Sequence, residues 1–206
     1  SLHPLPADFR TVTDDFAGEE FPRFAAESGP YDVFVNFSAL KHVRAERDVY
    51  SLMRMIEINV AALDRCLANA RSFGFARVFS VSTDKSVRPA NLMGATKNLM
   101  EKVLFSRPGA FVATSARFAN VAFYAGSLLE GFENRLAKGK PLAAPSDVRR
   151  YFISHEEAAQ LCLLACFLGE DRQVFFPKLS ASEHLIGFPE IAAALLRGHV
   201  LGRPDR

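Results

Sequence analysis

Residues 81–102 read VSTDKSVRPANLMGATKNLMEK. A β-branched and aromatic run containing Val78, Phe79 and Val81 feeds into this stretch. It ends at a hydroxyl, a carboxylate and an amine in consecutive positions, Thr83, Asp84 and Lys85. Twelve residues further on, a second lysine, Lys97, sits in a helix-like segment four places after Met93. The pattern predicts a strand that passes through a polar turn into a helix. Asn91 is the candidate N-cap, since its short side chain can accept from the first orphan N–H groups.

The alternation continues in both directions. Strand-like runs at 33–37, 77–82 and 111–117 are separated by long helical patterns. Across 48–72, the positions Leu52, Met55, Ile56, Leu63, Cys66, Leu67 and Ala70 follow helical spacing. Across 91–106, Leu92, Leu99 and Val103 mark one apolar side. Strand, helix, strand, helix, strand predicts an α/β fold with a Rossmann-like parallel sheet covered by helices. After Arg117 the regularity loosens. Helix-like stretches at 127–137, 155–168 and 189–197 are broken by Gly/Pro loops, notably KGKPLAAPSD at 138–147, and predict a smaller C-terminal lobe.

Composition narrows the classes of function. The chain has 206 residues, 49% hydrophobic and 23% charged, enough to bury a real core. A net charge of +2 gives no argument for nucleic acid or an anionic membrane surface. The longest apolar stretch, 158–168, is too short to span a bilayer, and SLHPLPADFR at 1–10 is not a signal peptide. The three cysteines, Cys66, Cys162 and Cys166, form neither a disulfide framework nor a zinc set. Cys162 and Cys166 share a helical face and are expected as buried core thiols in a reducing, cytoplasmic setting.

In a parallel sheet, ligands bind beyond the carboxyl ends of the strands. Three polar clusters fall at that edge: SALKHV (38–43), STDK (82–85) and RFANV (117–121). Any strand must end in a loop, so one cluster would be weak evidence; three on one edge make a site. Asn59 lies on the apolar stripe of its helix and is expected to face the sheet, where a buried amide must find partners. Its structural alternative is a brace to a neighbouring strand.

SALKHV with the Glu46 segment after it, EINV, STDKSVRPANLMGATK, RFANV followed by Gly126–Ser127, and RRYFISHEEAAQL occur in that order. Together they closely resemble the extended short-chain dehydrogenase/reductases of polysaccharide biosynthesis, and above all the UDP-N-acetylglucosamine 4,6-dehydratases. The resemblance runs from about residue 32 to 164. It implies an incomplete dinucleotide-binding domain over 1–125 and a substrate-binding lobe over 126–206, with some chain returning to the sheet. It also implies NADP or NAD as cofactor, a UDP-sugar as substrate and a homo-oligomer as the assembly.

Two departures stand out. The family's Gly-rich phosphate loop is absent, because no glycine precedes Gly18. Thr13, Asp14 and Asp15 resemble the acidic turn near adenine, so the first βαβ unit is expected to be missing, as in a fragment. Without that loop and its helix N-terminus, the pyrophosphate loses its main anchor. Met93, in turn, occupies the tyrosine position of the YxxxK pair, and a thioether cannot exchange protons; one branch of the dehydratase group shares this methionine.

The chemistry implied by the resemblance assigns the opening residues. Hydride leaves C4 of the sugar for the cofactor, the ketone acidifies the C5 proton, water is lost across C5–C6, and hydride returns to C6. Lys85 is then the base at C5, Asp84 the acid at the C6 hydroxyl, and Thr83 the holder of O4. Lys97 grips the nicotinamide ribose and helps the C4 alkoxide to form. Ala39, Leu40, Lys41, Asn59 and Ser82 line the cofactor. His42 borders the sugar, and Asn120 and Arg150 hold the uridine diphosphate, with Arg149 one register away. Glu157 is expected as a first-turn helix charge. The structural alternative for Asp84 and Lys85 is a solvated turn carrying an ion pair of little worth. The functional alternative is a truncated or degenerate non-catalytic module kept for assembly.

Overall fold

The three strand-like runs form β1 (Val33–Asn36), β2 (Arg77–Thr83) and β3 (Val112–Phe118). They lie side by side and parallel, with Val33 opposite Arg77 and Arg77 opposite Val112. This computed structural model describes residues 8–41, 48–122 and 128–201. A fourth strand, β6 (Gln173–Phe175), joins parallel beside β3, giving the order β1-β2-β3-β6. Three residues carry too little pattern for β6 to be read from sequence. Side chains of β2 alternate between two cores, because a parallel strand is covered on both faces. Val78 packs with Leu63, Leu67, Phe73, Met100 and Leu104 on one side, and Phe79 with Ala116, Cys162 and Ala165 on the other.

The crossover from β1 to β2 departs from the single helix that its spacing predicts. It is divided into α2 (Val49–Ile56), a π-helical turn (Glu57–Ala61), α3 (Ala62–Ala68) and the short α4 (Ala70–Phe73). The widened turn carries Asn59, and π-bulges commonly re-aim a side chain at a functional site. Gly74 ends α4 at φ +85°, and a Cβ there would sit 2.7 Å from the Pro30 side chain, so only glycine fits. Ahead of β1, α1 (Glu20–Ser28) rests against α4; the sequence patterning does not single it out.

From β2 to β3 the chain returns through α5 (Leu92–Leu104), capped as expected by Asn91, whose Oδ1 accepts from Gly94 N–H at 2.9 Å. Of the apolar side read from Leu92, Leu99 and Val103, Val103 packs on the core, but most of the inward face lies elsewhere. Leu99 is 47% exposed, whereas Met93, Gly94, Thr96, Lys97, Met100, Glu101 and Leu104 are buried. Helix α5 presents a polar face to the end of β2, and hydrophobic periodicity cannot detect a buried face built that way.

Beyond β3 lie β4 (Asn120–Val121), α6 (Leu128–Ala137), β5 (Arg149–Ile153), α7 (His155–Leu168), α8 (Ala181–His184), β7 (Leu185–Gly187) and α9 (Phe188–Leu201). A second sheet, β4-β5-β7, pairs β4 parallel and β7 antiparallel with β5 and packs on Phe132, Ile191 and Ala192. Helix α7 begins and ends as its spacing predicts and goes back to cover the main sheet. Its N-terminus is a capping box in which Ser154 and Glu157 satisfy each other's backbone N–H, so Glu157 is a helix-start charge. Cys66, Cys162 and Cys166 are free and buried; burial pushes Cys66 up to about 12 and Cys162 up to about 11. Among the described residues no helix is long and apolar enough to cross a membrane, and no His, Cys, Asp or Glu cluster is arranged for a metal.

Candidate active site

Parallel pairing brings the ends of β1, β2 and β3 to one edge, so the described parts of the three polar clusters share it. After β1, Asn36 is buried, donates to Ser80 Oγ at 3.1 Å and accepts from Ser38 N–H at 2.9 Å, which shapes the exit. Asn59, 1% exposed, then grips the loop from the other side. It accepts from Leu40 N–H at 2.8 Å and donates to Leu40 O at 3.0 Å and Thr96 Oγ1 at 3.0 Å. Its brace is thus to the loop after β1 and to α5, not to a neighbouring strand. Ala39 and Leu40 are half-buried beside it and Lys41 is exposed. His42 lies outside the described residues, as do Glu46, Gly126 and Ser127.

After β2 the chain makes one 3₁₀ turn, Asp84–Ser86, with Thr83 at its N-cap. Thr83 Oγ1 donates to Asp84 Oδ1 at 3.0 Å, and Lys85 Nζ donates to the same oxygen at 3.0 Å. The two charged side chains keep 52% and 42% of their surface exposed. As it stands, this is the solvated ion pair of the structural alternative, worth little to stability. Its chemical interest lies in its place at the mouth of the edge, where a bound ligand would cover it.

Lys97 is a different case. It is 6% exposed, and its ammonium donates to Val81 O at 2.9 Å, two residues before Thr83, with the Met100 sulfur at 3.6 Å. Burial pulls its pKa from 10.5 down to about 8, and the Glu101 carboxylate opposes that fall. An ammonium has three donors, and the strong acceptor Val81 O takes one of them. The donor capacity left in a buried place fits a ribose hydroxyl, so the edge suits the nicotinamide-ribose end of a dinucleotide. Met93 is buried one helical turn earlier.

The residue that sequence reasoning missed is Glu101. Buried in α5, it accepts from Ser82, from Ser86 Oγ at 3.0 Å, and from Arg117 through Nε at 2.8 Å and Nη2. Burial pushes this carboxyl upward, but the Arg117, Ser82 and Ser86 bonds outweigh burial and hold it below the usual glutamate value. Ser82 therefore faces Glu101 in this structure. The available signal was a glutamate four residues after Lys97, on the same helical face.

On the lobe side, Asn120 Nδ2 donates to Tyr151 O at 3.0 Å, which ties the end of β4 to β5. Arg150 is exposed, its guanidinium donating to Arg149 O at 3.0 Å, while Arg149 reaches Glu190 at 3.4 Å.

One close contact yields a stability prediction. A Cβ at Gly94 would lie 2.7 Å from Lys85 O. Helix propensity favours alanine over glycine by about 1 kcal/mol, but overpacking against backbone costs about 1–3 kcal/mol. Gly94→Ala is expected to lower the urea unfolding midpoint; an unchanged or raised midpoint would show that the turn yields freely.

A four-stranded parallel sheet with helices on both faces and polar clusters on its carboxyl edge is a Rossmann-like arrangement. The chain belongs to the polysaccharide biosynthesis protein family, whose model matches residues 18–199. It is 33% identical over 155 residues to the capsular polysaccharide biosynthesis protein CapD of Staphylococcus aureus, covering 72% of this chain and 25% of that one. It is 32% identical over 136 residues to a UDP-glucose 4-epimerase of Rickettsia massiliae, covering 63% of this chain and 40% of that one. Among solved structures, DesIV, the dTDP-glucose 4,6-dehydratase of Streptomyces venezuelae with NAD and TYD bound, superposes with a TM-score of 0.77 at 20% identity. That match covers 95% of this chain and 65% of DesIV. The chain thus spans less than half the length of these two curated relatives.

Proposed function

We propose that the intact protein is a nucleotide-sugar 4,6-dehydratase that acts on UDP-N-acetylglucosamine or a similar UDP-sugar in surface polysaccharide biosynthesis. The observation that carries this reading is the pairing of two unlike lysines at one strand end. Lys85 lies exposed beside Asp84, and Lys97 is buried with its ammonium on Val81 O. The dinucleotide, NADP or NAD, supplies reversible hydride acceptance when bound. Lys97, Asn59 and the Ala39–Leu40–Lys41 loop are its holders at the nicotinamide end, with Ser82 acting through the strand terminus. Thr83 holds the C4 hydroxyl and passes its proton to Asp84, which then protonates the departing C6 hydroxyl, while Lys85 in its neutral form takes the proton from C5 and later reprotonates that centre. Reprotonation of C5 from one face or the other decides whether that centre epimerises. Asn120 and Arg150, with His42, serve the uridine diphosphate and sugar, and arginine suits paired phosphate oxygens.

Tyr50, Met53 and Ile56 on α2 and Leu99 on α5 are exposed, which supports a homo-oligomer. Three free buried thiols accord with a reducing cytoplasm.

A second reading, C4 epimerisation, is favoured by the Rickettsia relative. Both reactions must take the C4 hydroxyl proton, so Met93 alone does not separate them; Asp84 and Lys85, which only elimination needs, favour dehydration. The test is incubation of the intact protein with UDP-N-acetylglucosamine and NADP or NAD, followed by mass spectrometry. Loss of one water with a 4-keto product supports dehydration; an isobaric C4 epimer overturns it.

The 206-residue chain by itself contains no Gly-rich turn to cradle a pyrophosphate. Calorimetry of this chain with NADP⁺ and NAD⁺ is expected to show weak binding or none. Tight binding would mean that the phosphate site has been misplaced.

A further inference from the structure

Three successive turns of α5 hold the backbone that carries Asp84 and Lys85. Gly94 lies flat against it, with Lys85 O 2.7 Å from where a Cβ would sit. One turn on, Asn98 Nδ2 donates to Ser86 O at 2.8 Å. A further turn on, Glu101 receives Ser82 and Ser86, the residues that flank the Thr-Asp-Lys triplet. Ser86 has one hydroxyl proton and two acceptors, Glu101 Oε1 at 3.0 Å and Thr83 O at 2.7 Å, so it links the carboxylate to the start of the turn. Arg117 on β3 fixes Glu101 by a two-pronged contact, and Arg117 is 28% exposed against 6% for the glutamate. Among the described residues the Asp84 and Lys85 side chains bond only each other and Thr83, so their aim is set by the backbone beneath them.

We propose that Asn98 and Glu101, the latter clamped by Arg117, are positioning residues that aim Asp84 and Lys85 for the elimination step without touching the sugar. The inference rests on the dehydratase reading for its kinetic consequence and on the clamp geometry for its structural one. Removing the Asn98 amide frees Ser86 O and lets the turn shift. A displacement of about 1 Å in a reacting group can cost about 100-fold in rate. Binding of cofactor and of uridine diphosphate does not use Asn98 and is spared in Asn98→Ala; Glu101 also holds Ser82, so its variant is read by labelling alone.

The test compares Asn98→Ala, at a half-buried position that leaves the core intact, with the isosteric Glu101→Gln in the intact protein. Glu101→Ala is set aside, because an unpaired Arg117 would confuse misfolding with misaiming. With UDP-N-acetylglucosamine, kcat is expected to fall by about 100-fold in Asn98→Ala, with KM and the dinucleotide Kd unchanged. Unchanged kcat, or a fall matched by a rise in Kd, would overturn the proposal. A second readout is independent of the reaction: acetylation by an amine-reactive ester, followed site by site by mass spectrometry. In both variants Lys85 should be labelled faster relative to the exposed Lys138, because a loosened turn releases it from Asp84. Equal relative labelling in wild type and variants would overturn the clamp. Lack of turnover by wild type with altered Lys85 labelling would instead keep the clamp and remove the dehydratase reading.

Discussion

Lys85→Ala in the intact protein is expected to lower turnover by about 10²–10⁴-fold, the usual contribution of a positioned general base. Dinucleotide affinity should stay nearly intact. The separation follows from geometry: Lys85 is exposed on the 3₁₀ turn with Asp84 as its partner, while the buried charge at the ribose end belongs to Lys97. An assay for 4-keto-6-deoxy product, run beside a dinucleotide titration, checks both halves. Near-normal turnover in Lys85→Ala would pass the proton at C5 to another base, and the role given to Thr-Asp-Lys would fall.

Lys97→Ala is expected to damage binding and turnover together, because one ammonium serves both the ribose and the C4 oxygen. Its titration gives this residue a pH signature as well. Burial lowers the Lys97 pKa to about 8, so the charge that assists at C4 is lost as pH rises through that value, and kcat/KM, which follows the free protein, should decline above it. Stability moves the other way. Between about 8 and 10.5 the unfolded chain holds the Lys97 proton and the folded chain does not, so stability from this group rises with pH across that window. Over the whole shift the change is about 3 kcal/mol. Below pH 8 the protonated amine is buried in both partners' field of Val81 O and Glu101, and that gain is absent. Lys97→Met should flatten the rise in a series of urea melts taken at successive pH values. A melt series with the same slope in both proteins would contradict the buried, titrating lysine.

The strand runs were legible because a parallel sheet covered on both faces writes itself as short β-branched segments, and β2 is buried on both sides. The cap at Asn91 and the bounds of α7 were legible for local reasons, namely an Asx cap and a Ser–Glu box. The break of 48–72 at the π turn was not, because it is driven by what Asn59 must reach across the fold, Leu40 and Thr96, and no periodicity records a distant partner. The polar part of the inward face of α5 was not legible for a related reason. Its core-facing residues include a lysine, a threonine and a glutamate, and their burial is licensed by Val81 O, Asn59 and Arg117 on other elements. In the site, the residue types of the Thr-Asp-Lys block could be read in order. The clamp beneath it could not, since Asn98 and Glu101 look like ordinary helix-surface residues until β2 and β3 are set beside them.

Where the C5 proton goes decides the reaction most directly. A reaction of the intact protein with UDP-N-acetylglucosamine and dinucleotide in D₂O separates the two chemistries available to this fold. Elimination with Lys85 at C5 exchanges that proton with solvent before C5 is reprotonated, whereas C4 epimerisation leaves C5 untouched. The expected product has lost one water and carries solvent deuterium at C5, with no such label in Lys85→Ala. A product with its C5 proton retained and C4 inverted would contradict the dehydratase reading.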